Sequence, residues 1–268
     1  MDYSAVEDAM SEDPDEMLAL MADLTGATDV KLRALAQRLA GRLVLDLAHS
    51  GPTRGRGVGK LRSLPMDETG GDVDLDQSLD GLQMAKAAGE PVAVEDLRVR
   101  SWSKPETALC LLIDRSGSMN GERLASAAVA AAAAAQRAPD DYAVIAFSDR
   151  VIVVKSQGQH RPTDEVVNDV FRLRGSGPTD LALALRAASA QLATSAATRK
   201  RVILLSDCRP TAGTEPEAEC SALDELHIIA PADDCEDARV MATAVGAQWA
   251  PLKGPAHIPA VFRDLAGG

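Results

Sequence analysis

Residues 108–118 read ALCLLIDRSGS, an apolar run that ends in an acidic turn rich in hydroxyl groups. A continuous apolar run of this length is typical of a strand buried on both faces, as in a parallel sheet. A second run, RVILLS at 201–206, also ends directly before an acid, Asp207. From about residue 105, strand patterns alternate with helical patterns. We therefore predict an α/β fold with a doubly wound, mostly parallel sheet.

The hydrophobic patterns also predict the order of the elements and the division of the chain. Residues 1–50 are expected to form a helical N-terminal extension, residues 51–104 a basic Gly/Pro-rich loop and lead-in, and residues 105–268 the α/β domain. An edge strand or an extended lead-in is expected at 92–102. Strands are expected at 108–113, 142–147, 151–154, 201–206, 226–230 and 247–252, and helices at 14–24, 30–48, 124–137, 163–171, 180–193 and 258–265.

The charge and composition restrict the class of protein. The chain has 268 residues, with 40 acidic and 28 basic side chains, so its formal net charge is −12. This excess disfavours nucleic acid as a partner, because phosphates are repelled. No apolar run approaches the roughly 18 residues of a membrane helix, and the N-terminus lacks a signal-peptide pattern. The four cysteines form no Cys-x-x-Cys pair. We expect a cytoplasmic protein with reduced thiols and no membrane span.

One glycine-rich motif is similar to the loops that bind nucleotide phosphates, but it lacks two of their defining residues. GRGVGK at 55–60 resembles a phosphate-binding loop. Arg54 stands where that motif requires its first glycine, and Leu61 stands where it requires a Ser or Thr for Mg²⁺. The motif therefore predicts a basic flexible loop and no ATPase site.

Three polar turns are expected to meet at the carboxyl edge of the sheet, where ligands bind in doubly wound folds. Each side chain alone is compatible with a helix cap or a plain turn. Together they offer hard oxygen atoms, which suit Mg²⁺, Mn²⁺ or Ca²⁺ better than zinc or copper. The sequence therefore predicts a metal site, whose residues are Asp114, Ser116, Ser118, Thr179 and Asp207.

The same three motifs carry a family resemblance. Asp-x-Ser-x-Ser at 114–118, then GSGPTD at 175–180, then Ser206-Asp207, resemble the von Willebrand factor type A (vWA) domain with an intact metal-ion-dependent adhesion site (MIDAS). The resemblance covers roughly residues 105–265 and implies a Rossmann-like fold. It also implies that Ser116, Ser118 and Thr179 bind the metal directly, whereas Asp114 and Asp207 act through water. The last metal position would then take an Asp or Glu carboxylate from a partner protein.

The absence of a signal peptide or disulfide pattern favours an intracellular bacterial type of vWA protein. The chain resembles CoxE-like proteins and the D subunit of magnesium chelatase, which work with MoxR-type AAA+ ATPases. This resemblance implies a non-enzymatic adaptor in metal insertion or in the assembly and remodelling of protein complexes. Two alternatives stay open: a Mg²⁺-dependent phosphatase of the haloacid-dehalogenase type, and a scaffold that uses no metal. The phosphatase requires a second Asp as acid/base, and Ser116 occupies that position.

Overall fold

The computed structural model divides the chain into two compact units, Met1–Thr53 with Thr107–Gly268, and Arg54–Glu106. The residues it describes are 9–25, 41–45, 47, 60–65, 72–73, 76, 78–79, 83, 97–103, 107–117, 121–139 and 141–266. In these ranges, no helix combines the length and the apolar character that crossing a membrane requires.

The smaller unit contains a three-stranded antiparallel sheet. Its strands are β1 (Lys60–Pro65), β2 (Asp72–Val73) and β3 (Arg98–Ser103), in the order β1-β3-β2. The prediction of a loop over this part of the chain is therefore wrong at β1. The physical reason is that β1 pairs with β3, a segment much later in the chain, and local composition does not report such a contact.

The larger unit is built on a six-stranded sheet in the order β6-β5-β4-β7-β8-β9. All neighbouring strands are parallel except β6, which runs antiparallel to β5 at one edge. The doubly wound, mostly parallel sheet is therefore confirmed. Its strands are β4 (Thr107–Asp114), β5 (Tyr142–Phe147), β6 (Val151–Lys155), β7 (Arg199–Leu205), β8 (Glu225–Pro231) and β9 (Gln248–Leu252).

Helices cover both faces of this sheet, because the apolar residues of the strands alternate between two cores. In β4, for example, Leu109 and Leu111 face one core, and Cys110 and Leu112 face the other. The helices are α1 (Pro14–Leu24), α2 (Gly121–Arg137), α3 (Thr163–Val170), α4 (Leu181–Ala193), α5 (Glu217–Ser221), α6 (Glu236–Val245) and α7 (Ile258–Ala266), and a 3₁₀ turn spans Pro255–His257.

Two helices, α5 and α6, were not expected from the sequence. In α6 the buried side chains are Ala238 and Ala242, which are too small to produce a strong apolar stripe. Gly246 ends α6 in the left-handed conformation, with a φ of 70°. The predicted second N-terminal helix at 30–48 lies mostly outside the described residues, although 41–45 and 47 are helical.

Helix α2 is the central helix of one face. Its run of alanines is buried on nearly every side, because α2 packs against β4 and also against α1, α3 and α7. Alanine favours helix formation and lets neighbouring backbones approach closely. This explains how a chain with only 3% aromatic residues fills its core.

Helix α1 packs against the N-terminal end of α2. Its Leu18 and Met21 are buried in the core. Gly121 allows the approach, because a Cβ atom there would clash with the Ala19 carbonyl oxygen. The carboxylate of Asp15 in α1 also accepts a hydrogen bond from the Ala256 N–H at 2.7 Å. The N-terminal extension is thus packed on the α/β core through α1.

We expect Gly121→Ala to lower the free energy of unfolding by about 1–3 kcal/mol, because the added methyl group must displace the α1 backbone. Urea denaturation measures this change. The control is Glu122→Ala in the same helical turn, where the side chain is exposed. We expect that substitution to change stability by about 0.5 kcal/mol or less. Equal stabilities of the two variants would contradict the packing of α1 against Gly121.

Candidate metal centre

The candidate site lies where four loops meet at the carboxyl edge of the larger sheet. The loops follow β4, follow β5, precede α4 and follow β7. Backbone hydrogen bonds join them to one another, which fixes their relative positions. The bonds run from the Ser176 N–H to the Arg115 carbonyl (3.0 Å), from the Asp180 N–H to the Ser148 carbonyl (3.1 Å) and from the Thr211 N–H to the Thr179 carbonyl (3.0 Å).

The Asp114 carboxylate is held in one orientation at the end of β4. Its Oδ1 accepts a hydrogen bond from the Ser116 N–H at 2.8 Å. Its Oδ2 accepts one from the Ser206 hydroxyl at 2.6 Å. Because Ser206 directly follows β7, this second bond links the ends of two neighbouring central strands. A carboxylate with both oxygens occupied in this way has little freedom to rotate.

Asp207 lies close enough to Asp114 for their charges to interact. Burial raises the pKa of the Asp207 carboxyl, the N–H of Arg209 opposes this by hydrogen bonding, and the negative charge of Asp114 raises the pKa further. The Arg209 N–H lies 3.2 Å from Asp207 Oδ1. A nearby cation would stabilise the charged form of Asp207, which burial and the charge of Asp114 disfavour. The electrostatics of this pair therefore fit a metal ion.

Thr179 is buried on the loop before α4, with a residue exposure of 3%. Its N–H donates to the Thr211 hydroxyl at 2.8 Å, which joins its loop to the one that carries Asp207. Gly177, with a φ of 85°, turns this loop tightly, and a Cβ atom there would lie 2.7 Å from Asp149 Oδ1. Asp180 is the cap of α4, since its carboxylate accepts the Leu183 N–H at 2.8 Å.

The structure thus places four of the five predicted residues on adjoining loops. Asp114 and Ser116 are hydrogen-bonded, Asp207 interacts with Asp114, and Thr179 is attached through Thr211. Ser118 lies outside the described residues. Within the described ranges, no group of three or more His, Cys, Asp or Glu side chains could hold a metal ion. The Ser116 and Thr179 hydroxyls are hard oxygen donors, which are suited to Mg²⁺.

Two residues contribute to the site in ways that sequence reasoning missed. Ser206 orients Asp114 and also accepts a hydrogen bond from the Cys208 N–H at 2.9 Å. Cys208 itself adopts a φ of 61°, a conformation that is rare for a residue other than glycine. It turns the chain sharply after Asp207. The sequence places Ser206 beside Asp207, but only the pairing of β4 with β7 brings it to Asp114.

A family model described as "VWA domain containing CoxE-like protein" matches residues 47–248, which is more than half of the chain. The chain belongs to this family. No curated protein matches the CoxE-like chain.

Two solved structures show the fold of this VWA domain. The "von Willebrand factor type A from Catenulispora acidiphila" is 22% identical, with a TM-score of 0.50 over 63% of this chain and 43% of its own. The PilB minor pilin from Streptococcus sanguinis is 12% identical, with a TM-score of 0.50 over 64% and 63% of the two chains. This chain thus spans less than half of the first structure. At these identities the likeness establishes the fold.

We expect Ser206→Ala to lower the free energy of unfolding by about 1–3 kcal/mol, because it leaves the Cys208 N–H without its acceptor and Asp114 with one fewer donor. Thermal or urea denaturation measures the loss. Ser221→Ala is the control, since that hydroxyl is exposed and donates to a backbone carbonyl within α5. If the Ser206 variant were as stable as the Ser221 variant, the hydrogen bonds of the Ser206 hydroxyl would contribute nothing to the stability of the fold.

Proposed function

We propose that this VWA domain is a metal-dependent protein-interaction module, with Mg²⁺ as the expected ion and Mn²⁺ or Ca²⁺ as possible substitutes. The observation that carries the proposal is the Asp114 carboxylate, held by Ser116 and Ser206 beside Asp207. We assign direct binding to the hydroxyls of Ser116, Ser118 and Thr179. Asp114 and Asp207 would act through water, in keeping with their hydrogen bonds to the protein.

The donor set explains why such a site would bind a partner. Neutral hydroxyl ligands offset little of the charge of a divalent cation, so the bound ion retains affinity for an anionic oxygen. An Asp or Glu side chain of a partner protein supplies such an oxygen. The site lies at the edge of the sheet, where Ser116 and Asp207 are partly exposed and a partner could reach them.

Membership of the CoxE-like family supports a finer proposal about the partner. We propose a cytoplasmic, non-enzymatic adaptor for a MoxR-type AAA+ ATPase, acting in metal insertion or in the remodelling of protein complexes. The partner's ATPase would supply the energy. Helix α1 would provide part of a second surface, because its Leu20 side chain is half exposed while the opposite side of the helix is buried.

Asp207→Asn is expected to weaken Mg²⁺ binding about ten- to a hundredfold, the range typical when a residue that supports metal ligands is changed. Isothermal titration calorimetry on the full chain measures the affinity. The control is Asp224→Asn, an exposed acid at the opposite edge of the sheet, which should bind Mg²⁺ like the wild type. A wild-type protein that binds none of Mg²⁺, Mn²⁺ or Ca²⁺ would contradict the metal site.

A pull-down from cell lysate, with Mg²⁺ or with EDTA, tests the proposed partner. We expect mass spectrometry to identify a AAA+ ATPase that is retained with Mg²⁺ and lost with EDTA. The same ATPase retained equally in EDTA would favour a scaffold that uses no metal. Hydrolysis of an aryl phosphate with Mg²⁺, abolished by Asp114→Asn, would favour the phosphatase and contradict the adaptor.

A further inference from the structure

Three arginines lie on the loops that form the candidate metal centre: Arg115 after β4, Arg150 after β5 and Arg174 before α4. We name them the arginine rim. Arg115 directly follows Asp114, and its Nη1 donates to the Arg174 carbonyl at 3.0 Å, which places these two residues together. Arg150 ends the turn after β5, and the same turn holds the loop of Thr179 through the bond from the Asp180 N–H to the Ser148 carbonyl.

The arginine rim has no carboxylate partner in the part of the chain that the structure describes. Arg115 is only 8% exposed, yet its Nη1 bonds neutral oxygens, those of Arg174 and Ser176, and its Nε has no hydrogen-bond partner. The Nη1 of Arg174 likewise donates to the carbonyls of Phe171 and Leu173.

Other arginines of the protein, unlike the arginine rim, are paired with acidic side chains. In the same described ranges, the arginines that form ion pairs with Asp or Glu include Arg161, Arg172, Arg186, Arg199, Arg201, Arg209, Arg239 and Arg263.

The arginine rim is positively charged, whereas the protein as a whole is negatively charged. A chain with a net charge of −12 has acids in excess, and a buried guanidinium is costly unless an anion accompanies it. Asp149 is one carboxylate near the rim, since its Oδ1 lies beside Gly177 and accepts the Ser148 hydroxyl. With a divalent ion offsetting the charges of Asp114 and Asp207, the rim would remain net positive.

On the opposite side of the site, the arginine is paired with acids. There Arg209 forms ion pairs with Asp234 at 2.5 Å and with Asp237 at 2.7 Å. In the described part of the chain, arginines without a carboxylate partner therefore lie on the side of Arg150 and Arg174. Complementary charge on that side would steer association and select among partners.

We propose that the arginine rim binds further acidic residues of the partner, so that the docking segment is an acidic peptide and not a single isolated carboxylate. This inference rests on the proposed function, which supplies the carboxylate at the metal. An acidic peptide is proposed over nucleic acid because the anion proposed at the metal is already a carboxylate of a partner protein, and neighbouring acids of the same segment would reach the rim.

The test compares two fluorescent probe peptides in Mg²⁺ by anisotropy. One carries a central Glu flanked by Asp residues, and the other carries the same Glu flanked by Ala. We expect the wild type to bind the acidic peptide more tightly, by about three- to tenfold at low salt, which is the effect of two exposed charge pairs. The preference should shrink in high salt, because surface charges are screened.

The double variant Arg150→Gln/Arg174→Gln should lose this preference and bind both peptides alike. Its Mg²⁺ affinity in calorimetry should stay within about twofold of the wild type, since neither side chain is assigned to the metal. Arg263→Gln, an exposed arginine on α7, is the matched control and should keep the preference.

The outcomes separate this inference from the proposed function. A wild type that binds no metal ion overturns the proposed function and this inference with it. A wild type that binds Mg²⁺ but holds both peptides equally, or a double variant that keeps the preference, overturns the arginine rim alone. Displacement of the acidic peptide by a short oligonucleotide at equal concentration would assign the rim to nucleic acid and overturn the peptide proposal.

Discussion

The Asp114 carboxylate connects the two central strands of the sheet at the point where the site is formed. One oxygen accepts the Ser116 N–H within its own turn, and the other accepts the hydroxyl of Ser206 at the end of β7. This bond positions the turn that leads to Asp207. The remaining loops then attach to the same edge through backbone hydrogen bonds, including those between Thr179 and Thr211. This one carboxylate therefore fixes the turn after β4 relative to the end of β7.

The helices behind the sheet pack closely against it through small side chains. Alanines of α2 are buried against β4 on one side and α1, α3 and α7 on the others, so backbones and not large rings make the close approaches. Gly121 also permits a close approach, because the absence of a side chain lets α1 contact the first turn of α2. Close packing of this kind resists displacement, because even one added methyl group must move a neighbouring backbone. The N-terminal helix thereby becomes part of the unit that carries the site.

The charges around the site are distributed unevenly, although the chain as a whole is acidic. Two carboxylates lie at its centre, Arg209 with its acidic partners lies on one side, and the arginine rim lies on the other. Charge that is not balanced within the protein is available for recognition. The proposed partner would therefore be selected by two features: a carboxylate for the metal and additional acids for the arginines.

The sequence alone determined the class of fold and the identity of the candidate site residues. Continuous apolar runs such as 108–113 predict buried strands, because a strand that is buried on both faces has no polar positions. The oxygen-bearing residues of the candidate site could be predicted because each lies just after a predicted strand or at the start of a predicted helix. The sequence could not reveal β1, the small-residue helix α6, the bond from Ser206 to Asp114 or the grouping of Arg115, Arg150 and Arg174. Those features depend on strand pairing and on loop contacts between residues far apart in the chain, and only the tertiary structure decides which distant residues meet.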